Sequence, residues 1–288
     1  MGVTLVHHPG AGEGEWTGER ILVALREAGH DATIVEMDEE WEAALAQTDE
    51  MAVVAGGDGT VAAVAAELAG RQITLGILPT GSGNNIARSL GILAPLEEII
   101  PRLKNARSSP LRLCNATGPW GERRFVESIG LGAIAHSVLE LQEEKLDGDE
   151  KLVRGRDALV SAIEAQTPLA VTVAVDGEPV EGEFLLVEVM NLPMIGPNIR
   201  LVPDTELKGE SLSVALLPVG ERETMVRWLA EGGAGIAPLR RVQGRRVLLH
   251  GAPQPLRLED KTRDWDGSRV EMEAEPHRIR VLRPGDHQ

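Results

Sequence analysis

The sequence predicts an α/β N-terminal domain, a parallel sheet flanked by helices, followed by a mainly antiparallel β-sandwich domain. Three observations lead there. Short apolar runs alternate with helix-forming segments as far as Leu103, the pattern of a helix-covered parallel sheet. After Pro110 strand-like runs follow one another directly, as antiparallel sheets require. Two of the early runs end in glycine-rich turns that open helices, the arrangement found at the carboxyl ends of parallel strands. The expected bounds are 1–110, rejoined by 279–288, for the first domain and 111–278 for the second.

Val3 to His7 reads as the first strand and runs into His8-Pro9-Gly10-Ala11-Gly12. His7 and His8 read as strand-end residues, not catalytic groups. Glu19 to Ala28 carries Ile21, Leu22 and Leu25 on one face and stops at Gly29, an amphipathic helix with a glycine C′. Ala32 to Glu36 is the next strand and Glu39 to Gln47 the next helix. Met51 to Ala55 is an apolar strand that breaks at Gly56-Gly57-Asp58-Gly59-Thr60, and Val61 to Ala69 is helix-forming. The pattern repeats in Ile73 to Leu78, Pro79, the turn Gly81-Ser82-Gly83-Asn84-Asn85, and a helix starting at Ile86.

Beyond Pro110 the expected strands are Leu111 to Asn115, Arg124 to Ser128, Leu169 to Val175, Glu183 to Met190, Ser211 to Leu217 and Arg245 to Leu249. Asp176-Gly177-Glu178-Pro179 is a hairpin signal. Ala133 to Glu144 and Leu152 to Ala165 read as helical insertions, joined by a mobile acidic segment, Asp147 to Glu150. Ile279 to Leu282 reads as a strand returning to the first sheet.

The two glycine turns carry the chemistry. A residue without Cβ reaches positive φ and lets backbone N–H groups approach an anion, and each helix start behind the turn adds unpaired N–H groups and a positive dipole end. Asp58 would repel a phosphate directly. It either holds a Mg²⁺ that bridges to phosphate oxygens or caps the Val61 helix.

The pair GGDGT, Gly56 to Thr60, and PTGSGNNIARSLGI, Pro79 to Ile92, resembles the diacylglycerol kinase catalytic domain family, which is related to sphingosine kinases and NAD kinases. The resemblance implies a Rossmann-like first domain and a two-lobed lipid-kinase or NAD-kinase architecture. It implies ATP and Mg²⁺ as cofactors. Gly56, Gly57, Gly59, Thr60, Thr80, Gly81, Ser82, Gly83 and Asn84 would bind the nucleotide, and Asp58 would organise the metal. Pro9, Gly10 and Gly12 match an Asn-Pro-x-x-Gly-like phosphate turn in which His8 replaces the asparagine. Phe125 to Gly132, Asn191, Gly196 and Pro203 resemble positions near a lipid-facing cleft. The catalytic Asp-Gly-Glu of similar kinases corresponds to Asp266-Gly267-Ser268, so Asp266 remains as the acceptor-side carboxylate and Ser268 stands for the glutamate. Asn85 replaces an aspartate, and Lys208-Gly209 stands near an Asp-Gly that helps to hold a structural cation.

Composition narrows the partners. Asp and Glu outnumber Lys and Arg 45 to 29, a formal charge of −16, which argues against nucleic acid and against constitutive docking on anionic lipid. The single Cys114 excludes internal disulfides and Cys-rich zinc sites and suits a reducing cytoplasm. No secretory signal or membrane-spanning run is legible, so a lipid substrate implies transient visits to a membrane surface. A homodimer is compatible with the sequence. No Gly-Lys P-loop, Gly-x-Gly-x-x-Gly, Gly-x-Ser-x-Gly or His-Glu-x-x-His occurs.

The expected function is therefore an ATP- and Mg²⁺-dependent kinase acting on the hydroxyl of a lipid such as diacylglycerol or a related amphiphile. The alternatives are a catalytically weakened nucleotide- or lipid-binding regulator on the same fold, and an NAD-kinase-like enzyme.

Overall fold

The computed structural model describes residues 2–10, 15–37, 40–141, 144, 146, 148–207 and 209–284, the side chains of 205, 276 and 277 excepted. The chain forms two compact units, Met1–Arg112 with His277–Gln288, and Leu113–Pro276.

The first unit begins β1 (Gly2–His7), α1 (Gly18–Glu27), β2 (Asp31–Glu36), α2 (Trp41–Ala46), β3 (Met51–Gly56) and α3 (Asp58–Glu67). β4 (Thr74–Pro79), α4 (Asn85–Ser89) and α5 (Leu96–Arg102) follow. The strands lie parallel in the order β2-β1-β3-β4. Every residue of β3 is buried, which is what a strand covered on both faces needs and why Met51 to Gly56 is apolar throughout. Leu5, Val53 and Val54 lie at 0% exposure in this core. Thr17 opens α1 by accepting the N–H of Arg20 at 3.2 Å. α3 is apolar around much of its circumference and buries Val61, Ala62, Val64 and Ala65.

The second unit takes in part of β5 (Arg107–Gly118), then β6 (Gly121–Phe125), β7 (Ser128–Gly132), α6 (Ala133–Leu141), α7 (Gly148–Ala165), β8 (Val171–Val175), β9 (Glu178–Pro179) and β10 (Phe184–Met190). It continues through β11 (Met194–Ile195), β12 (Ile199–Arg200), β13 (Leu212–Pro218), α8 (Arg222–Ala230), β14 (Arg240–Gly244), β15 (Arg246–Gly251), β16 (Gln254–Leu258), β17 (Lys261–Trp265) and β18 (Val270–Arg283). The end of β18 belongs to the first unit, where Arg280 and Val281 pair in parallel with Thr74 and Leu75 of β4.

An antiparallel six-stranded sheet, β14-β13-β10-β7-β16-β17, is the centre of the second unit. One face carries Val187, Val189, Leu131 and Leu256, which pack with Cys114, Phe125, Val247 and Met272 from the other strands into a sandwich core. The opposite face carries Leu186, Met190 and Leu217 against Ile134 of α6, Leu159 and Ile163 of α7, and Met225 and Leu229 of α8. Each such fully buried aliphatic side chain contributes roughly 1.5–3 kcal/mol. The helices are thus a third layer that closes the sheet, not insertions into it.

Several elements differ from the sequence expectation. The acidic segment read as a mobile joint opens α7, with Asp149 and Glu150 in its first turn, where the helix dipole favours negative charge; Asp147 lies outside the described residues. Arg124 to Ser128 is not one strand. The backbone of Val126 and Glu127 leaves the ladder because its polar groups are taken elsewhere: both N–H groups donate to the Glu259 carboxylate, and the Val126 and Glu127 carbonyls accept from Asn191. α8, β14 and the β16–β17 hairpin are additional elements. The Asp176-Gly177 hairpin forms, with Asp176 at φ 52° and its Oδ1 accepting the N–H groups of Arg245 and Arg246, both at 2.9 Å.

Candidate nucleotide site and buried polar cluster

Parallel pairing in the order β1-β3-β4 brings three turns to one end of the first unit's sheet. His8 N–H continues the pairing to the Ala55 carbonyl at 3.1 Å, and its ring Nδ1 then accepts the N–H of Gly10 at 3.1 Å. That i to i+2 bond is the one an asparagine side chain makes in an Asx turn, so the imidazole does what an asparagine would do there. Pro9 and Gly10 are exposed, and Gly12 lies outside the described residues.

The β3 and β4 turns touch. Thr80 N–H donates to the Gly56 carbonyl at 3.2 Å. A Cβ added to Gly81 would lie 2.5 Å from the Gly57 Cα, and one added to Gly56 would lie 2.6 Å from Thr60 Cβ. Close approach, not handedness, is therefore what these positions require: among the described residues with positive φ, Gly56, Gly57, Gly59, Gly81 and Gly83 do not occur. The left-handed residue is Asn84, at φ 52° and ψ 39°, whose side chain accepts the Gly81 N–H at 3.0 Å and donates to the Gly81 carbonyl. The turns are half-buried from Gly57 to Gly59 and from Thr80 to Asn84, while Thr60 is buried. Beneath them lies the first turn of the ten-residue α3. N–H groups at a helix start beside glycines that clear the way form an anion cradle. The hydroxyl of Thr80 is buried without a hydrogen-bond partner among the described residues.

Asp58 does not cap its own helix. Its Oδ2 accepts the N–H of Asn85 at 2.9 Å and its Oδ1 the N–H of Ile86 at 2.8 Å, so both oxygens hold the start of α4. Among the described residues no group of three or more His, Cys, Asp and Glu is placed to hold a metal. A carboxylate held by two backbone amides and belonging to no such group does not make a dedicated Mg²⁺ ligand set.

Asp266-Gly267-Ser268 is the β17–β18 turn. Asp266 is exposed, its Oδ1 accepts the Ser268 N–H at 2.9 Å, and the hydrogen bonding from Ser268 holds its carboxyl below the usual range. Ser268 uses its carbonyl to accept the Trp265 indole N–H at 2.8 Å. Lys208 lies outside the described residues; nearby Glu206 pairs with Arg241 at 3.1 Å and accepts the Ser213 hydroxyl at 2.8 Å.

The residues that sequence reasoning missed lie in the second unit. Glu188, Gly130 and Arg257 share one cross-strand row of the six-stranded sheet. Glycine in the middle lets the outer pair meet across it, Arg257 Nη2 to Glu188 Oε2 at 2.8 Å, with Ser128 Oγ accepting from the same Nη2. A Cβ on Gly130 would fall 2.0 Å from the Glu188 carboxylate carbon. Glu127 stands 3.9 Å from Arg257, whose Nη1 donates to the Glu259 carbonyl. Burial pushes the Glu188 carboxyl up, against the pull of Arg257. Burial also pushes Glu259 up to about 7, against the hydrogen bonds from Val126 and Glu127 and the charge of Arg257. The resemblance-derived positions Glu127, Ser128 and Asn191 are thus gathered around the Glu259 turn. A legible trace existed: a glutamate in the middle of the apolar FLLVEVM run, and an arginine between Leu256 and Leu258, need a buried partner.

The whole-chain architecture has solved counterparts. A diacylglycerol kinase from Bacillus anthracis superposes with TM-score 0.71 at 18% identity, covering 97% of this chain and 96% of that one. An NAD kinase from Archaeoglobus fulgidus, in complex with ATP, gives 0.54 at 16% identity, covering 99% and 94%. The fold class is therefore that of the diacylglycerol kinases and NAD kinases. Within it, residues 3–116 match the model of the diacylglycerol kinase catalytic domain. The chain is 27% identical over 194 residues to "Diacylglycerol kinase" of Bacillus subtilis, a match spanning 65% of this chain and 60% of that relative. It is 28% identical over 274 residues to "Probable lipid kinase YegS-like" of Pseudomonas aeruginosa, spanning 91% of this chain and 88% of the relative. The chain is thus similar to the bacterial diacylglycerol kinases and YegS-like lipid kinases, and residues 3–116 are the part that matches the diacylglycerol kinase catalytic domain model.

Proposed function

We propose that this protein transfers the γ-phosphoryl group of ATP to the hydroxyl of a lipid such as diacylglycerol or a related amphiphile. The observation that carries the reading is the contact between the two glycine turns, Gly57 against Gly81, at one end of a parallel sheet above the α3 N-terminus. Phosphoryl transfer is mainly a matter of positioning and charge stabilisation, and amide donors on rigid elements supply both for the phosphates. Gly57, Gly59, Thr60, Thr80, Gly81, Ser82, Gly83 and Asn84 form the cradle in this reading, with the Pro9-Gly10 turn beside it. Magnesium bound to the nucleotide would supply charge neutralisation of the phosphates. Asp266 orients the acceptor hydroxyl; its lowered pKa makes it a weak proton acceptor. Among the described residues no helix is long and apolar enough to cross a membrane.

The weak basicity of Asp266 and the neutral Ser268 favour one second reading, a nucleotide-binding regulator with little turnover. Radiolabelled ATP supplied with a panel of lipids in mixed micelles separates the two. Label in a lipid product supports the kinase. ATP-dependent stabilisation without label supports the regulator, and no stabilisation by millimolar ATP removes both. Ligand at 100 times Kd should add about 2.7 kcal/mol to stability.

A further inference from the structure

The structure assigns Asp58 as a positioning residue that caps α4 in trans and so fixes the second glycine turn against the first. α4 has only five residues, Asn85–Ser89, too few to hold helical geometry by itself in water. Its leading N–H groups need acceptors from outside. Asn84 occupies the N-cap position but is left-handed, and its side chain turns back to Gly81 and makes no cap bond. The acceptors come instead from Asp58, 27 and 28 residues earlier in the chain, one oxygen to each of the first two amides of α4. Asp58 itself lies in the first turn of α3. One carboxylate therefore links the first turn of α3, which the nucleotide reading places under phosphate, to the start of α4.

The arrangement answers the difficulty of an acid in a phosphate-binding turn. The negative charge is directed onto two amide dipoles, and charge-assisted bonds of this kind are about twice as strong as neutral ones. What Asp58 contributes to an anion is the register of the donors around it. This departs from the metal role that the motif suggests: each oxygen is already held by a backbone amide of α4.

The proposal rests on the nucleotide reading for its functional consequence, though not for its structural one. Amide hydrogen exchange in the nucleotide-free protein, and ATP titrations in EDTA and in magnesium chloride, are compared for wild type, Asp58→Asn and the smaller perturbation Asp58→Ser. In wild type the Asn85 and Ile86 amides should be protected. Both should exchange at least tenfold faster in the variants, and ATP affinity should fall by a similar factor with and without magnesium. Loss of the magnesium effect while both amides stay protected would make Asp58 a metal ligand and overturn the assignment. So would unprotected amides in wild type, or faster exchange with unchanged ATP affinity, the behaviour of a purely structural bond. If wild type binds no ATP, the nucleotide reading fails separately, and the exchange data still decide whether the cap exists.

Discussion

Replacing Glu259 by glutamine should flatten the pH dependence of stability, because this buried carboxyl is held protonated far above its ordinary range. It titrates at 4.5 when free and near 7 in the fold, where burial outweighs the amide bonds from Val126 and Glu127 and the charge of Arg257. A raised carboxyl pKa means that the folded state binds the proton more tightly. Its contribution is therefore complete below pH 4.5 and is lost as pH rises to and past 7. At 1.36 kcal/mol per tenfold difference in proton affinity the loss is about 3 kcal/mol. For a domain of this size, that is roughly 6–12 °C in Tm. Glutamine cannot ionise, but its NH₂ group faces one of the two amide donors and leaves it unpaired, at about 1–3 kcal/mol. The variant should thus melt below wild type at pH 5 and close to it at pH 8. Calorimetric scans of both proteins from pH 4.5 to 8.5 test this, since the other titrating groups cancel in the difference. Parallel curves over the whole range would refute the reasoning.

Gly130→Ala drives a methyl into the Glu188 carboxylate and should break a buried ion pair, at about 3–5 kcal/mol, seen as aggregation or a large fall in Tm; Gly220→Ala, whose Cβ meets nothing, should stay within about 0.5 kcal/mol of wild type. Gly81→Ala, forced against the Gly57 Cα, should abolish ATP-dependent stabilisation in thermal-shift assays. His30 is buried with neither ring nitrogen bonded among the described residues, and burial together with nearby positive charge, Lys104 included, lowers its pKa; stability should therefore fall as pH drops below 6.5, and His30→Leu should remove that acid limb from the melting profile. Asp266→Asn keeps the turn acceptor for the Ser268 N–H, so it should leave Tm unchanged while lipid phosphorylation drops about tenfold if Asp266 orients the acceptor.

The parts of this molecule that are local in the chain were legible from residues alone. Alternating apolar runs and helix signals mark β1 to α3, and the fully apolar Met51–Gly56 announces a strand covered on both faces. What escaped depends on distant partners. Nothing near Asp58 indicates that its carboxylate reaches backbone amides 27 residues on, because a bond to backbone imposes no residue type on the partner. Glu188, Gly130 and Arg257 form a row only through the pairing of three strands. The β16–β17 hairpin was missed because its turn, Glu259-Asp260, lacks glycine; Glu259 sits there at φ 57°, an unusual conformation for glutamate that its buried carboxylate bonds sustain.

The departures from the motif that the sequence resembles separate into two kinds once their contacts are known. His8 accepts the Gly10 N–H through Nδ1, and Asn85 contributes its backbone N–H to Asp58, a role indifferent to its side chain. Both contacts hold the glycine turns in the geometry seen here. Ser268 is different: it contributes a backbone N–H and a carbonyl to its turn, and its neutral hydroxyl is a far weaker proton acceptor than a carboxylate. Nucleotide binding and phosphoryl transfer should therefore fail independently. Disrupting the turn-to-turn contact removes both, whereas changing the Asp-Gly-Ser turn alters turnover and leaves the affinity for ATP where it was.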